Sequence, residues 1–182
     1  MKNLSGFSLI ELLTLISIVA ILAAIAVPNF SRTIMNERDT SQINALLDGL
    51  TLARSEAIKY GQPVTICAGN SNACADGNWA DGWIVFYVTP PPGATTSTIR
   101  AFPAISGGNS LANSDNGSTA YNSFTFNSTG MLTNTLNGSA TFRVCDSRGP
   151  GYALSIDLNI TGRAVAATSW GHTINNTPLT CP

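Results

Sequence analysis

From Phe7 to Phe30 nearly every position is apolar, and Glu11 is the only charge between Lys2 and Arg32. Those 24 residues make a helix of about 36 Å at ~1.5 Å per residue, long enough to cross a bilayer. The run continues without a small-residue exit into polar sequence, and it holds an acid near its start. Both features set it apart from a cleaved secretory signal.

After Arg32 the pattern becomes one-sided. Ile43, Leu46, Leu47, Leu50, Ala53, Ala57 and Ile58 recur at helical spacing, while Glu37, Arg38, Asp39, Asp48, Arg54, Glu56 and Lys59 fill other positions. Gly61-Gln62-Pro63 ends the helix. The pattern predicts one helix from Phe7 to Tyr60, apolar all round in residues 7–30 and amphipathic in 31–60. Pro28 lacks an amide donor, which predicts a kink or a meltable point between Ala24 and Pro28. Arg54 and Glu56 are too close along the helix to face each other. They are expected to fix the helix end to loops of the head.

Residues 61–182 change period. Strands are predicted at Val64–Cys67, Trp83–Val88, Ile99–Phe102, Tyr121–Asn127, Ala140–Cys145, Tyr152–Ile160 and Ala164–Ala167. Ala140, Phe142 and Val144 share one face, as do Leu154, Ile156, Leu158 and Ile160. Gly107–Thr119 is rich in Gly, Asn and Ser and reads as a loop, as does the stretch around Pro90-Pro91-Pro92-Gly93. The expected class is α+β: a long N-terminal helix packed on antiparallel strands in two small sheets, one of them covering the amphipathic half.

Composition narrows the chemistry. Beyond Gly61 the chain has four Arg, no Lys and five Asp, amid many Ser, Thr, Asn and Gly. The formal net charge is −1, so no basic balance points to nucleic acid. Four cysteines in so polar a chain fit an oxidising compartment. Their spacing does not match a zinc knuckle. Three connectivities are open; proximity favours Cys67–Cys74, which leaves Cys145–Cys181 to staple the tail. The single histidine, His172, has no acid or cysteine cluster beside it in sequence, so it reads as a surface residue. Asp76 and Asp81 stand in a Gly-rich stretch that does not fit a calcium loop and is explained by turns. No nucleophile elbow, P-loop or dinucleotide fingerprint is present. The expectation is a non-enzyme without metal or cofactor.

Gly6-Phe7-Ser8-Leu9-Ile10-Glu11, behind a short basic leader, resembles the processing signal of type IV pilins and type II secretion pseudopilins. Ala53-Arg54-Ser55-Glu56-Ala57-Ile58, Gly61 and the Gly82-Trp83 strand are similar to the GspH/FimT family, whose FimU/FimT-like minor pilins fit better because of the paired cysteines. The resemblance implies a pilin-like fold and a leader, residues 1–6, removed by prepilin peptidase after Gly6. It implies N-methylation of Phe7, and assembly roles for Glu11 and Pro28. Glu11 would meet the free α-amine of a neighbouring subunit's Phe7, which answers the cost of a lone carboxylate in hydrocarbon.

The implied function is a minor pilin that helps initiate type IV pilus assembly in a priming or tip complex. The alternatives are a minor pseudopilin at the tip of the type II secretion piston and a DNA-binding minor pilin in transformation. Implied partners are other minor pilins, the major pilin or pseudopilins, and inner-membrane lipid, with the head in the periplasm. For DNA, Gly162-Arg163-Ala164-Val165 matches only part of a Gly-Arg-x-Arg motif, since Val165 stands at the second arginine. Arg143, Arg148 and Arg163 would have to gather on one face.

Overall fold

The computed structural model describes residues 7–69, 74, 77–88, 96–116 and 119–182, except for the side chain of Pro28. Gly6, Asp76 and the stretch 90–93 lie outside these. The chain divides into two compact units, one ending at Glu37 and one spanning Arg38–Pro182.

One unbroken α-helix, α1, runs over Leu9–Tyr60. Its helical assignment continues through position 28, although Pro28 cannot donate to the carbonyl of Ala24. Side chains reinforce the backbone around it: Asn29 Nδ2 donates to the Ile25 carbonyl at 3.3 Å and Ser31 Oγ to that of Val27 at 3.2 Å. Gly61 stops the helix at φ 65°, a left-handed value that glycine adopts without strain.

In the second unit, Ile43, Leu46, Leu50, Ala53 and Ala57 form the buried stripe of α1. Two residues depart from the expected pattern. Ile58 is 52% exposed, since it stands one position off the stripe. Asp39, expected on the polar side, is 1% exposed; it lies four residues before Ile43 and therefore on the stripe itself.

Among the described residues, eight strands form two antiparallel sheets of four. The first contains β1 (Val64–Ala68), β2 (Trp83–Val88), β3 (Thr96–Phe102) and β5 (Ser123–Phe126), in the order β3-β2-β1-β5. The second contains β4 (Ser110–Ser114), β6 (Ser139–Cys145), β7 (Leu154–Asn159) and β8 (Ala164–Ala166), in the order β4-β6-β7-β8. Strand β4 corrects the expectation of a loop over Gly107–Thr119. Its partner β6 imposes the pairing, Leu111 opposite Val144 and Asn113 opposite Phe142. Asn113 turns inward, where its side chain exchanges two hydrogen bonds, each 2.8 Å, with the backbone of Tyr121. A sequence as polar as Ser-Leu-Ala-Asn-Ser becomes a strand because its neighbours satisfy it.

One core joins the helix and both sheets. The stripe of α1 packs with Val64, Ile66, Trp83, Val85, Phe124 and Phe126 of the first sheet and with Phe142, Val144, Ile156 and Leu158 of the second. Trp79 fills the middle, its ring edge-on to Phe142 at 5.0 Å, and its indole N–H donates to the Tyr121 carbonyl at 2.9 Å. Helix and first sheet approach closely at Gly49, where an added Cβ would stand 2.7 Å from Trp83 Nε1 and 3.2 Å from Ile66 Cδ1. Cys67 is bonded to Cys74 and Cys145 to Cys181, with Cα–Cα distances of 5.5 and 6.0 Å.

Gly49→Ala is expected to destabilise the head by about 1–3 kcal/mol through overpacking against Trp83, despite alanine's better helix propensity. Urea unfolding of both chains, followed by Trp fluorescence, measures this; a variant as stable as wild type would mean the helix has room to shift.

Candidate assembly site

In the first unit the candidate residues lie on a helix surface that is apolar on every side. Phe7, Leu9, Ile10, Leu12, Leu13, Leu15, Ile16 and onward to Phe30 are exposed, and α1 contains a segment long and apolar enough to cross a membrane. Glu11 is exposed in the first turns of α1, where an acid favours the positive end of the helix dipole. Thr14 Oγ1 donates back to the Glu11 carbonyl at 2.9 Å. The Glu11 carboxylate has no ion pair among the described residues. Phe7 is exposed beside it in sequence.

The second unit holds a polar cluster that the sequence reading missed. Asn109 donates through Nδ2 to Asp39 Oδ1 and to Gln42 Oε1, both at 2.7 Å. Gln42 Nε2 donates to the Ser106 carbonyl at 2.8 Å. Arg148 donates from Nη2 to Asp39 Oδ2 at 3.1 Å and from Nε to Asp146 Oδ2 at 2.6 Å. Its guanidinium also lies over the Tyr152 ring, 4.4 Å from the centroid. Two residues of α1 are thus tied to the loop before β4 and to the turn after β6. Burial pushes the Asp39 carboxyl above its ordinary 3.8; the Asn109 hydrogen bond opposes this and the neighbouring Asp146 adds to it. The signal was present in the spacing: Asp39 and Gln42 continue the stripe of Ile43 and Leu46.

The other end of the stripe is fixed as expected for one residue of the pair. Arg54 Nε donates to the Gly130 carbonyl at 3.1 Å, a loop contact. Glu56 instead pairs with Lys59 along the helix, at 3.2 Å.

The three arginines considered for DNA are held separately. Arg148 is engaged by two carboxylates. Arg143, on β6, donates to Ser114 Oγ at 2.9 Å, and burial lowers its pKa. Arg163 is exposed in the turn between β7 and β8, its backbone N–H bonded to Asn159 Oδ1 at 3.0 Å. His172 is half-buried, with Nδ1 2.9 Å from the Trp170 carbonyl. Asp81 accepts from Asn78 Nδ2 at 3.1 Å within a short 3-10 turn, Trp79–Asp81. Among the described residues no three His, Cys, Asp or Glu gather as a metal centre.

A long N-terminal helix whose second half packs into an antiparallel two-sheet head is the α+β architecture of pilin-type subunits. The family described as Type II transport protein GspH matches residues 42–162, more than half of the chain, and the chain belongs to that family. The fold is similar to the type IV minor pilin FimU of Pseudomonas aeruginosa strain PAO1, at 18% identity and a TM-score of 0.57, over 79% of this chain and 99% of that one. A second crystal form of FimU gives 19% and 0.53, over 77% and 98%. It is also similar to the minor pseudopilin EpsH of the Vibrio cholerae Type 2 Secretion System, at 13% and 0.51, over 71% and 96%. No match is found among curated proteins.

The Asp39 environment makes a signed pH prediction. A carboxyl raised in the fold binds protons more tightly there than in the unfolded chain, so its contribution to stability falls as pH rises from 3.8 through the raised value. Asp39→Asn removes that slope. The stability gap between variant and wild type is expected to move in the variant's favour across that window, read from urea midpoints at successive pH values. A gap that stays flat, or moves the other way, would contradict the buried-carboxylate reading.

Proposed function

We propose that this protein is a minor pilin that helps to initiate type IV pilus assembly and sits in the priming or tip complex. The observation that carries the reading is the stretch from Phe7 to Phe30, whose described side chains are exposed and whose single charge is Glu11. Such a helix is stable in hydrocarbon or in a bundle of like helices. Its carboxylate favours the bundle, where a cation can meet it.

The proposed sequence of events starts with prepilin peptidase cutting after Gly6 and leaving Phe7 as a free, then N-methylated, α-amine. The apolar helix holds the subunit in the inner membrane with the head in the periplasm. On assembly, Glu11 of this chain neutralises the Phe7 amine of a neighbouring pilin and sets the axial register. Pro28 leaves the Ala24 carbonyl free and gives the helix a point at which to adjust. The head then contacts other minor pilins and the major pilin.

The likeness to EpsH supports a second reading, a minor pseudopilin at the tip of the secretion piston, with the same mechanics. DNA binding draws on Arg163 alone, since Arg148 is already paired and Arg143 is part-buried.

Deletion in the native host is expected to abolish surface pili, with restoration by wild type. Glu11→Val should insert normally but lower incorporation about tenfold or more, as loss of a charge-assisted contact implies. Electron microscopy and immunoblots of sheared filaments read both. Normal piliation with lost exoprotein release would select the secretion reading instead. A Gly6→Val chain should stay at precursor length on a gel, and mature-length protein would contradict the assigned cleavage.

A further inference from the structure

The alternation of β7 places Leu154, Ile156 and Leu158 in the core and sends Ser155 and Asp157 to the opposite face of the sheet. That face is covered by the C-terminal segment. Ala167 N–H donates to the Ser155 carbonyl at 2.9 Å and Gly171 N–H to that of Ala153 at 2.8 Å. Ser155 Oγ donates to the His172 carbonyl at 3.1 Å, and the Cys145–Cys181 disulfide closes the far end. Both faces of β7 are therefore buried.

Beside this cover opens a cavity of about 100 Å³ lined by Asn116, Ser139, Thr141, Asp157, Thr173, Asn175 and Thr177, with Asn116, Asn175 and Thr177 on its exposed rim. All seven side chains carry an oxygen, and none is apolar or cationic. Thr141 stands opposite Asp157 in the β6–β7 register and donates its hydroxyl to Asp157 Oδ1. Ile174 N–H donates to Asp157 Oδ2 at 3.1 Å. Thr173, Asn175 and Thr177 belong to a turn closed by Thr173 N–H on the Thr177 carbonyl at 2.9 Å, while Asn116 follows β4 and Ser139 opens β6.

Asp157 is only 5% exposed. No lysine, arginine or histidine among the described residues forms an ion pair with it. Burying a carboxylate without a counter-charge is costly. Its two hydrogen bonds use one lone pair on each oxygen and leave the others available. The lining consists of hard neutral oxygens around one anion, in a space larger than a single water requires.

We propose that this cavity binds a calcium ion. Asp157 is the one charged ligand, and the oxygens of Thr141, Asn116, Asn175 and neighbouring side chains, with water, complete the shell. Calcium accepts a flexible set of six to eight oxygens, whereas magnesium demands a strict octahedron and keeps its water. A single carboxylate implies weak affinity, about 10⁻⁴–10⁻³ M, the range of extracellular calcium modules. The ion would lock the turn at Thr173–Thr177 onto the second sheet.

The test uses the full chain in detergent, with calcium chloride titrated at constant ionic strength and magnesium chloride as the comparison. Calcium at about tenfold its Kd is expected to raise Tm by ~3–5 °C, with magnesium giving less. Asp157→Asn, which keeps an acceptor for Thr141, should lose the response, while Asp81→Asn should keep it. Asn175→Asp adds a second carboxylate to the same cavity and should tighten calcium binding at least tenfold by calorimetry. This arm stands even if Asp157→Asn folds poorly. An absent calcium response in wild type, a response that survives in Asp157→Asn, or an Asn175→Asp chain that binds no tighter would each overturn the proposal.

Discussion

Leu46, Leu50, Ala53 and Ala57 have lost essentially all contact with solvent, and the head is organised around that one stripe of α1. Each leucine contributes roughly 1.5–3 kcal/mol by burial. The alanines and Gly49 contribute mainly by being small, since they let the helix axis come close to β1 and β2. This economy ties the helix to one register. Sliding by one turn would set Leu46 where Leu50 now stands, but it would also bring side chains with a Cβ against Trp83, where only Gly49 fits.

The polar cluster at the start of the stripe serves the same end by different means. A buried ion pair adds little stability compared with well-packed apolar side chains, because desolvation offsets the attraction. It is, however, intolerant of misplacement. Asp39 must find both Asn109 and Arg148, and Gln42 must find both Asn109 and the Ser106 carbonyl. Failure at any of them strands a buried charge or amide. At the other end Arg54 on the Gly130 carbonyl fixes the helix terminus. The buried stripe of the helix is thus located at both ends by hydrogen bonds and held between them by apolar packing.

Much of this was legible from residues because it rests on local periodicity. The stripe from Ile43 to Ala57, the stop at Gly61 and the alternating faces of β6 and β7 follow from period 3.6 and period 2. Glu11 was legible because it stands alone in an apolar run. What the pattern concealed depends on distant partners. Strand β4 has no apolar alternation to announce it, and its pairing comes from β6 and from Asn113 acting as a substitute for backbone. Asp39 was misplaced because charge was read as exposure, whereas its spacing puts it on the stripe and Arg148, 109 residues away, makes that tenable. Ile58 erred the other way, an apolar residue one step off the buried face. The role of Asp157 is likewise non-local, since the side of β7 that reads as solvent-facing is covered by a tail whose own sequence is polar.

The two halves of α1 make opposite demands of their surroundings. The second half has a polar side and a buried side, and the head of the same chain satisfies it. The first half has no polar side. A β head cannot satisfy such a surface, because a sheet covers only one face of a helix, whereas hydrocarbon or several neighbouring helices cover all of it. Glu11 then distinguishes those two environments. In lipid its charge is a standing cost, while among like helices a cation can remove that cost at one axial position. On the proposed function, the first half of the helix supplies the rule for assembly, and the second half serves the fold of its own head.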